Sequence, residues 1–310
     1  MVMKALFVEQ TEGAPGKVSI HLGYAKRQVY YPLRLATVPT PSLPTPHLLI
    51  KILAASLNHR DLFIRQNLYP GIDPSIPMGA DGVGVVQSGS TPDLDNEWRG
   101  KRVVFVPGVG WDSNPLAPEA RGRYVILGST KGAPCGTLSE LVAVEAKQVV
   151  LCPPHLSNAE AAAFPLAGLT AYRAVFTKGQ VTSGTKLLIT GIGGGVGLAA
   201  LLLAVAAGAE VYVTSSSEKK IARAKELGAK DGILYTTLNW SKELKKTSGE
   251  LDVVLDSAGG DICTHAVPLL KQGGTIVTYG MTLGPKTPFT MQAVLKVINR
   301  RMALTVEHRV

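Results

Sequence analysis

The chain has 310 residues, of which 45% are hydrophobic and 18% are charged. This length fits about two ordinary domains, and the composition excludes disordered, collagen-like and disulfide-scaffold proteins. The 32 basic and 23 acidic residues give a formal net charge of +9. The basic residues are not interleaved with aromatic ones and form no nucleic-acid-binding motif, so they indicate a solvated basic surface and no nucleic-acid partner.

Targeting and membrane signals are weak throughout the sequence. Residues 1–10 resemble a short strand and lack the apolar core of a signal peptide. The longest apolar stretch, 196–209, is shorter than the roughly twenty residues that a membrane span needs, so it predicts a buried helix. Cys135, Cys152 and Cys263 are far apart, which favours a reducing compartment. We therefore expect a cytoplasmic protein with no membrane partner.

The first half of the chain is predicted to be β-rich. Short runs with β-branched residues, bounded by Gly, Pro, Asp and Asn, predict strands at 48–53, 82–87, 102–107 and 138–144. The stretch 107–136 is rich in Gly, Pro and Ser and predicts a long irregular segment.

The pattern changes near residue 155. Ser157 and Glu160 have the spacing of a capping box before an alanine-rich helix. A second helical pattern follows at 169–176, and then strands alternate with helices. Strands are predicted at 186–190, 210–214, 232–235, 252–256 and 275–279, and helices at 196–207, 218–227 and 263–270. This alternation indicates an α/β fold with a doubly wound parallel sheet. We predict a β-rich domain at 1–154, a nucleotide-binding domain at 155–283 and a final segment at 284–310.

A glycine-rich loop follows the strand at 186–190 and opens the next helix. Its sequence is Gly191-Ile192-Gly193-Gly194-Gly195-Val196-Gly197. Glycines allow a tight turn and a close approach of the backbone to a pyrophosphate, which the helix N-terminus attracts. In this context the motif predicts cofactor contacts at Gly193, Gly194, Gly195 and Val196. The alternative is a glycine-rich turn that binds nothing.

The end of the strand 210–214 bears on the choice between NAD and NADP. An NAD site normally places an acidic residue there to bind the ribose hydroxyls, but this chain continues Ser215-Ser216-Ser217-Glu218-Lys219-Lys220. Hydroxyls and lysines suit a 2′-phosphate. We therefore predict NADPH as the cofactor, with Ser215, Ser216, Lys219 and Lys220 at that phosphate. The alternative is a helix cap, because Ser215 and Glu218 have capping-box spacing.

Several further motifs point to one family. They are MKA at 3–5, AASLNHRD at 54–61, GADGVGVV at 79–86, PLAGLTAY at 165–172, LDVVLD at 251–256 and GGTIVTYG at 273–280. Together with the glycine loop they resemble the medium-chain dehydrogenase/reductase superfamily, and within it the zinc-free quinone-oxidoreductase-like branch. The resemblance implies a GroES-like catalytic domain, a Rossmann NADP-binding domain, and NADPH-dependent reduction in the cleft between them.

The resemblance also implies roles for single residues. Asn58 and Asp61 match positions near the nicotinamide and its ribose, and Thr170 matches a threonine beside the nicotinamide. Tyr69 stands where family members often carry a substrate-facing tyrosine, although an aromatic wall without a chemical role is an equal alternative. The expected catalytic residues are thus Asn58, Asp61 and Tyr69. By the same matching, Ser216, Lys220 and Tyr235 lie around the 2′-phosphate, and Gly195, Val196 and Gly280 lie along the cofactor.

Zinc separates the branches of this family. Zinc-dependent members carry a cysteine ligand at the position of Asn58 and a histidine ligand at that of Ala80, and neither Asn nor Ala can replace those ligands. The segment 111–123 also lacks the cysteines of a structural zinc lobe. His59, beside Asn58, is expected to pack or to form hydrogen bonds. We therefore predict no metal.

A reaction without a Lewis acid must leave little charge on one oxygen. Hydride addition to a conjugated system fits, because the negative charge is delocalised and a few hydrogen-bond donors can stabilise it. We therefore predict an NADPH-dependent reductase of quinones or α,β-unsaturated carbonyls, with a small electrophilic substrate. The alternatives are a dedicated enoyl reductase of a biosynthetic pathway and a low-turnover NADPH-binding structural or regulatory protein.

Two expectations concern assembly and the end of the chain. A homodimer is expected by analogy, because the family often dimerises through the edge of its Rossmann sheet. The match to the family fades after 291–295. We therefore expect 284–310 to be a truncated return segment toward the catalytic domain, which leaves the cleft less enclosed.

Overall fold

The computed structural model describes residues 1–9, 18–22, 25–29, 31–114, 117–119, 124–280, 282 and 302–303. The chain divides into two compact units, and the boundary lies between Leu166 and Ala167. The first unit is built mainly from antiparallel strands, and the second contains a parallel sheet covered by helices. This mixed architecture confirms the predicted fold class.

The first unit contains eleven strands and three α-helices among the described residues. The strands are β1 (Val2–Val8), β2 (Val18–Leu22), β3 (Ala25–Val29), β4 (Leu33–Pro39), β5 (His47–Ser56), β6 (Asp81–Gly89), β7 (Arg102–Phe105), β8 (Gly108–Val109), β9 (Val125–Ile126), β10 (Leu141–Glu145) and β11 (Val149–Leu151). The helices are α1 (His59–Arg65), α2 (Pro92–Trp98) and α3 (Asn158–Ala163), with a 3-10 turn at Ala146–Gln148.

An antiparallel sheet in the order β10-β5-β6-β7-β11 forms the centre of the first unit. Its strands alternate between two faces, so residues two apart share a face. Leu48 and Ile50 of β5 and Val103 and Phe105 of β7 are buried in one apolar core. The strand pairs β1-β4, β2-β3 and β8-β9 form separate two-stranded sheets.

Helix α3 packs against β5 and β6 of the first unit, although the sequence analysis assigned it to the second domain. Its capping box is present: Ser157 Oγ accepts from the Glu160 N–H (3.3 Å), and Glu160 Oε2 accepts from the Ser157 N–H (2.9 Å). Ala161 and Ala162 of α3 share a buried cluster with Val83 of β6. This packing extends the compact unit beyond residue 154.

The second unit is built around a six-stranded sheet. Its strands are β12 (Lys186–Ile189), β13 (Glu210–Ser215), β14 (Asp231–Leu234), β15 (Leu251–Asp256), β16 (Leu270–Thr278) and β17 (Met302–Ala303). Helix α4 (Pro165–Tyr172) begins with the last two residues of the first unit and continues into the second. The other helical elements of the second unit are a π-helical segment (Arg173–Lys178), α5 (Gly195–Ala206), α6 (Glu218–Glu226), α7 (Trp240–Ser248), α8 (Ile262–Ala266) and a 3-10 turn (Val267–Leu269). The strand order is β14-β13-β12-β15-β16-β17 and every pairing is parallel, which is the order of a Rossmann sheet.

Both faces of this sheet are buried, as a parallel sheet requires. Leu187 and Ile189 of β12 lie in one core together with Leu201 of α5. Leu188, between them, lies in the opposite core with Trp240 of α7. The continuous apolar run that predicted β12 is therefore explained by burial on both sides.

The residue pattern predicts no helix between β14 and β15, where the structure has α7. Most residues of this helix are polar, and its buried side includes Trp240 and Leu244, which lie one turn apart. Parallel neighbours need a crossover connection, and α7 belongs to the connection between these two strands. The short apolar stripe explains why the pattern was missed.

The apolar stretch at 196–209 forms the buried helix that was predicted. Helix α5 is 12 residues long and buries Gly197, Ala200, Leu201 and Ala204. Within the described part of the chain, no helix combines the length and the apolar character needed to cross a bilayer.

Candidate functional site

The glycine loop, residues 191–197, connects β12 to α5 at the carboxyl edge of the parallel sheet. Gly191 (φ +64°) and Gly193 (φ +115°) have backbone angles that disfavour side chains. The Gly191 N–H donates to Thr214 Oγ1 (3.2 Å), and the Ile192 N–H donates to the Thr214 carbonyl (2.8 Å). These bonds fix the loop to the end of β13.

The space around the loop differs from one glycine to the next. A Cβ atom at Gly193 would lie 2.7 Å from Lys220 Cδ, whereas one at Gly194 would meet no described atom within 4 Å. A Cβ atom at Gly195 would lie 3.5 Å from the Cβ of Ala167 on α4. Gly194 is the N-cap of α5, and Val196 lies in its first turn, where the backbone N–H groups lack partners within the helix. This cradle fits a diphosphate group.

The residues after β13 occupy two different environments. Ser215 is 2% exposed, and its Oγ accepts from the Ser217 N–H (3.2 Å). Ser216, Lys219 and Lys220 are exposed. The N-cap of α6 is Ser217, so the capping box of Ser215 with Glu218 is wrong: Ser215 is the last residue of the strand, and its hydroxyl bonds within the turn.

The basic side chains of α6 also differ in their partners. Arg223 pairs with Glu226 (2.6 Å) and Lys225 pairs with Asp231 (2.6 Å). Lys220 forms no ion pair within the described residues, and its alkyl chain lies over Gly193. An ammonium group without an ion-pair partner among the described residues thus lies beside the candidate phosphate site.

Tyr235 lies next to the end of β13. Its backbone N–H donates to the Ser215 carbonyl (3.0 Å), and its side chain is half-buried. Because the carboxyl ends of parallel strands meet at one edge of the sheet, the fold brings Tyr235, Ser216 and the glycine loop to the same edge.

A buried pair joins the ends of the two central strands. Thr190, just after β12, donates from Oγ1 to Asp256 Oδ1 (2.7 Å) at the end of β15. The two oxygens of Asp256 also accept from the N–H groups of Ala258 and Gly259 (both 3.0 Å). Burial raises the pKa of Asp256. This is the point where the strand order reverses, which in such sheets is the usual ligand position.

Gly280 and Thr170 lie close to these elements. A Cβ atom at Gly280 would come within 2.8 Å of the Ser257 carbonyl, which follows β15. Thr170 is half-buried on α4, one turn after Ala167, the residue that approaches Gly195. The residues of the second unit that the sequence predicts as cofactor contacts therefore lie on α4, in the glycine loop, or at and just after the carboxyl ends of the strands.

In the first unit, Asn58 is the N-cap of α1. Its backbone N–H donates to Asp61 Oδ2 (2.8 Å) as part of a capping box, and its Nδ2 donates to Asp81 Oδ2 (2.8 Å). Asn58 is half-buried, whereas Asp61 is 4% exposed. Asp61, one of the predicted catalytic residues, therefore acts on the start of α1.

Arg60 is a buried cation in the first turn of α1. It donates to the carbonyl oxygens of Leu127 (2.8 Å) and Gly128 (2.9 Å), and it lies 3.6 Å from Asp61 Oδ1. Burial raises the pKa of Asp61, and the charge of Arg60 opposes that shift. The guanidinium group lies 4.6 Å from the ring centroid of Tyr69, so Tyr69 is placed by a cation–π contact.

Asp81 is a functional candidate that sequence reasoning missed. It begins β6, is fully buried, and accepts from Asn58 and from the Leu166 N–H (2.9 Å). Burial raises its pKa to about 6. Asp81 and Asp256 both stand in the motifs that carried the family resemblance, but no spacing rule distinguishes a buried carboxylate from an exposed one.

The described residues do not supply a metal site. Among them, no group of three or more His, Cys, Asp or Glu side chains is placed to hold a metal ion. Asn58 and Ala80 occupy the positions where the zinc-dependent branch carries ligands, and their side chains lack thiolate or imidazole groups. The residues present at these positions therefore do not fit zinc.

Two family profiles match the chain. The profile described as alcohol dehydrogenase GroES-like domain matches residues 45–154, and the profile described as zinc-binding dehydrogenase matches residues 195–306. The first falls in the antiparallel unit and the second in the parallel unit.

Individual proteins similar to this chain agree with the two profile matches. A zinc-type alcohol dehydrogenase-like protein, YogA, of Leptosphaeria maculans is 44% identical over 284 residues, which cover 88% of this chain and 79% of that protein. A 2-methylene-furan-3-one reductase of Solanum lycopersicum is 34% identical over 245 residues, covering 78% of this chain and 57% of that protein. The crystal structure of an NAD-dependent alcohol dehydrogenase superposes with a TM-score of 0.77 at 29% identity, covering 97% of this chain and 83% of that one.

Proposed function

The chain belongs to the medium-chain dehydrogenase/reductase superfamily, and on that premise we propose that it is an NADPH-dependent, zinc-independent reductase of quinones or α,β-unsaturated carbonyls. The observation that carries the proposal is the position of Lys220, whose side chain lies over Gly193 of the phosphate-binding loop. A cation at that place serves a cofactor with an additional phosphate.

The second unit fits a nicotinamide dinucleotide. Gly191 and Gly193 adopt angles that glycine tolerates, Gly194 leaves open space, and the first turn of α5 offers unpaired N–H groups. These features would hold the diphosphate. Thr190 and Asp256 fix the ends of β12 and β15 beside it.

The preference for NADP over NAD rests on the end of β13. A carboxylate that would bind two ribose hydroxyls is replaced by Ser216, which is exposed, and Lys219 and Lys220 follow. Charge-assisted hydrogen bonds to a phosphate are about twice as strong as neutral ones. One similar solved structure is described as NAD-dependent, so the measurement must compare both cofactors.

The substrate class rests on the first unit. Asn58 offers an amide and no metal ligand, so the charge that develops on a substrate oxygen must be small or delocalised. A conjugated carbonyl meets this condition. When hydride adds at the β-carbon, the electron pair of the C=C π bond forms a double bond to the carbonyl carbon, and the C=O π pair moves to the oxygen. The resulting enolate is delocalised, and water then protonates it at the α-carbon. The tomato relative is by its name a reductase of a ketone with an adjacent methylene group, which supports this class.

The residues have distinct roles in this reaction. NADPH, when bound, supplies the hydride. Asn58 uses an N–H of its side chain to stabilise the developing enolate oxygen. Asp61 and Arg60 hold the start of α1. Tyr69 lies against Arg60 and forms part of the wall of the proposed substrate site.

The proposal is tested by NADPH oxidation with a panel of quinones, enones and enoyl thioesters. We expect turnover with quinones or enones, and we expect Asn58→Ala to lower kcat more than it changes the NADPH dissociation constant. His59→Ala, at the neighbouring exposed position, is the matched control and should retain turnover. Tight NADPH binding without oxidation by any acceptor would instead establish a low-turnover binding protein, and turnover confined to enoyl thioesters would establish a dedicated enoyl reductase.

A further inference from the structure

We propose that Asp81 is a positioning residue that sets the orientation of the Asn58 side-chain amide. Asp81 Oδ2 lies 2.8 Å from Asn58 Nδ2, and the carboxyl group is fully buried. The inference rests on the proposed function in one respect, namely that Asn58 contacts the substrate. The orientation itself can be measured without a substrate.

Asp81 is itself held in place by several bonds. Its Oδ1 accepts from the N–H of Leu166 (2.9 Å), which lies in the first turn of α4, and its backbone carbonyl accepts from Thr137 Oγ1 (2.8 Å). Its backbone pairs with Ser56 at the end of β5, two residues before Asn58. These bonds therefore fix the position of the Asp81 carboxylate beside the half-buried Asn58.

An ionised carboxylate accepts hydrogen bonds and cannot donate them. The amide nitrogen of Asn58, and not its oxygen, must consequently face Asp81. The bond to Asp81 uses one of the two hydrogens of that nitrogen. The second hydrogen can then point to a molecule bound beside α1, which is the donor that an enolate oxygen needs.

Protonation of Asp81 would remove this constraint. Burial raises its pKa to about 6, the charge of Asp61 raises it as well, and the bonds from Asn58 and Leu166 and the charge of Arg60 lower it. Below this pH a protonated Asp81 can donate to the Asn58 oxygen, so both orientations of the amide become available. The protein should therefore lose the oriented donor as the pH falls through about 6.

The direct test is the nuclear magnetic resonance signal of the Asn58 side-chain amide in the cofactor-free protein. The signal is assigned by its loss in Asn58→Ala and followed between about pH 5 and pH 8. We expect it to shift with a midpoint at about pH 6 in the wild type and to lose that transition in Asp81→Asn. An Asn58 signal that does not titrate, or that titrates equally in Asp81→Asn, would overturn the proposal.

Thr137→Val is the matched structural control. It removes a hydrogen bond to the Asp81 backbone but leaves the carboxyl group. We expect it to lower the thermal stability and to keep the transition at about pH 6. If Asp81→Asn does not fold, a transition of the Asn58 signal near pH 6 that persists in Thr137→Val supports the proposal. A wild-type protein without this transition overturns the proposal.

Kinetics supply the second readout. In the wild type, kcat/KM should rise with pH through about 6, whereas Asp81→Asn should show a flat profile with a loss of up to about 100-fold and an NADPH dissociation constant within about twofold of the wild type. A wild type that reduces no acceptor would contradict the proposed function, while the amide titration would still decide the role of Asp81.

Discussion

Lys220 lies across Gly193, so that a methyl group at position 193 would come within 2.7 Å of the lysine Cδ and 3.3 Å of its Nζ. One exposed lysine of α6 thereby covers the turn that follows β12. If NADPH binds as we propose, the Lys220 ammonium group would contact its 2′-phosphate.

Gly193→Ala should destabilise the cofactor-free protein. The backbone angle of φ +115° disfavours a Cβ atom, and that atom would also displace Lys220. Such strain costs on the order of 1–3 kcal/mol, to be measured by urea unfolding. Gly194→Ala is the matched control, because Gly194 has φ −83° and an added Cβ atom would meet no described atom within 4 Å. Its loss of stability should therefore be clearly smaller. Equal losses in both variants would contradict the described loop.

Lys220→Ala should weaken NADPH binding and leave NADH binding nearly unchanged. A charge-assisted contact contributes roughly 1.5–3 kcal/mol, or about 10–150-fold in affinity, and NADH lacks the 2′-phosphate. Dissociation constants for both cofactors can be measured by fluorescence titration. Lys242→Ala, an exposed lysine of α7, controls for the change in net charge. A wild type that binds NADH as tightly as NADPH would rule out the proposed preference.

Glu119→Gln should loosen the turn at 112–114. The Glu119 carboxylate accepts from the N–H groups of Asp112 (3.0 Å), Ser113 (2.7 Å) and Asn114 (2.8 Å). The bond from the Asn114 N–H, together with those from Ser113 and Asp112, lowers the pKa of Glu119 to about 2. The stabilisation is therefore complete above the ordinary pKa of about 4.5 and is lost as the pH falls through about 2.

Hydrogen exchange at neutral pH measures this effect. The amides of Ser113 and Asn114 should exchange faster in Glu119→Gln than in the wild type, because a neutral side chain with one oxygen cannot replace the carboxylate. Glu97→Gln, on the exposed side of α2, makes the same change of charge elsewhere. Unchanged exchange in Glu119→Gln would show that the carboxylate does not hold the turn.

The elements that the sequence predicts well are those whose residue pattern has a single physical cause. The run Leu187-Leu188-Ile189 is apolar on both faces because the sheet is covered on both sides, and the glycine loop follows it because the turn needs positive φ angles. Helix α7 was missed because its buried stripe is short and its other residues are polar.

The site was harder to predict because its details depend on burial. Ser215 and Ser216 are neighbours with the same side chain, but one is 2% exposed and bonds within the turn while the other is exposed. Sequence alone treated them alike as phosphate ligands. Asp81 was overlooked for the same reason, since its partner Asn58 is distant in sequence and only the pairing of β5 with β6 brings them together.

In the proposed reaction, hydride passes from NADPH to a conjugated carbonyl. The most direct measurement uses NADPH that carries deuterium at both positions of carbon 4 of the nicotinamide, with the enone or quinone that gives the fastest turnover. For an enone, we expect one deuterium at the β-carbon of the product, detected by mass spectrometry and magnetic resonance. Oxidation of NADPH that leaves only ordinary hydrogen at that carbon, or a panel in which no acceptor is reduced, would contradict the account.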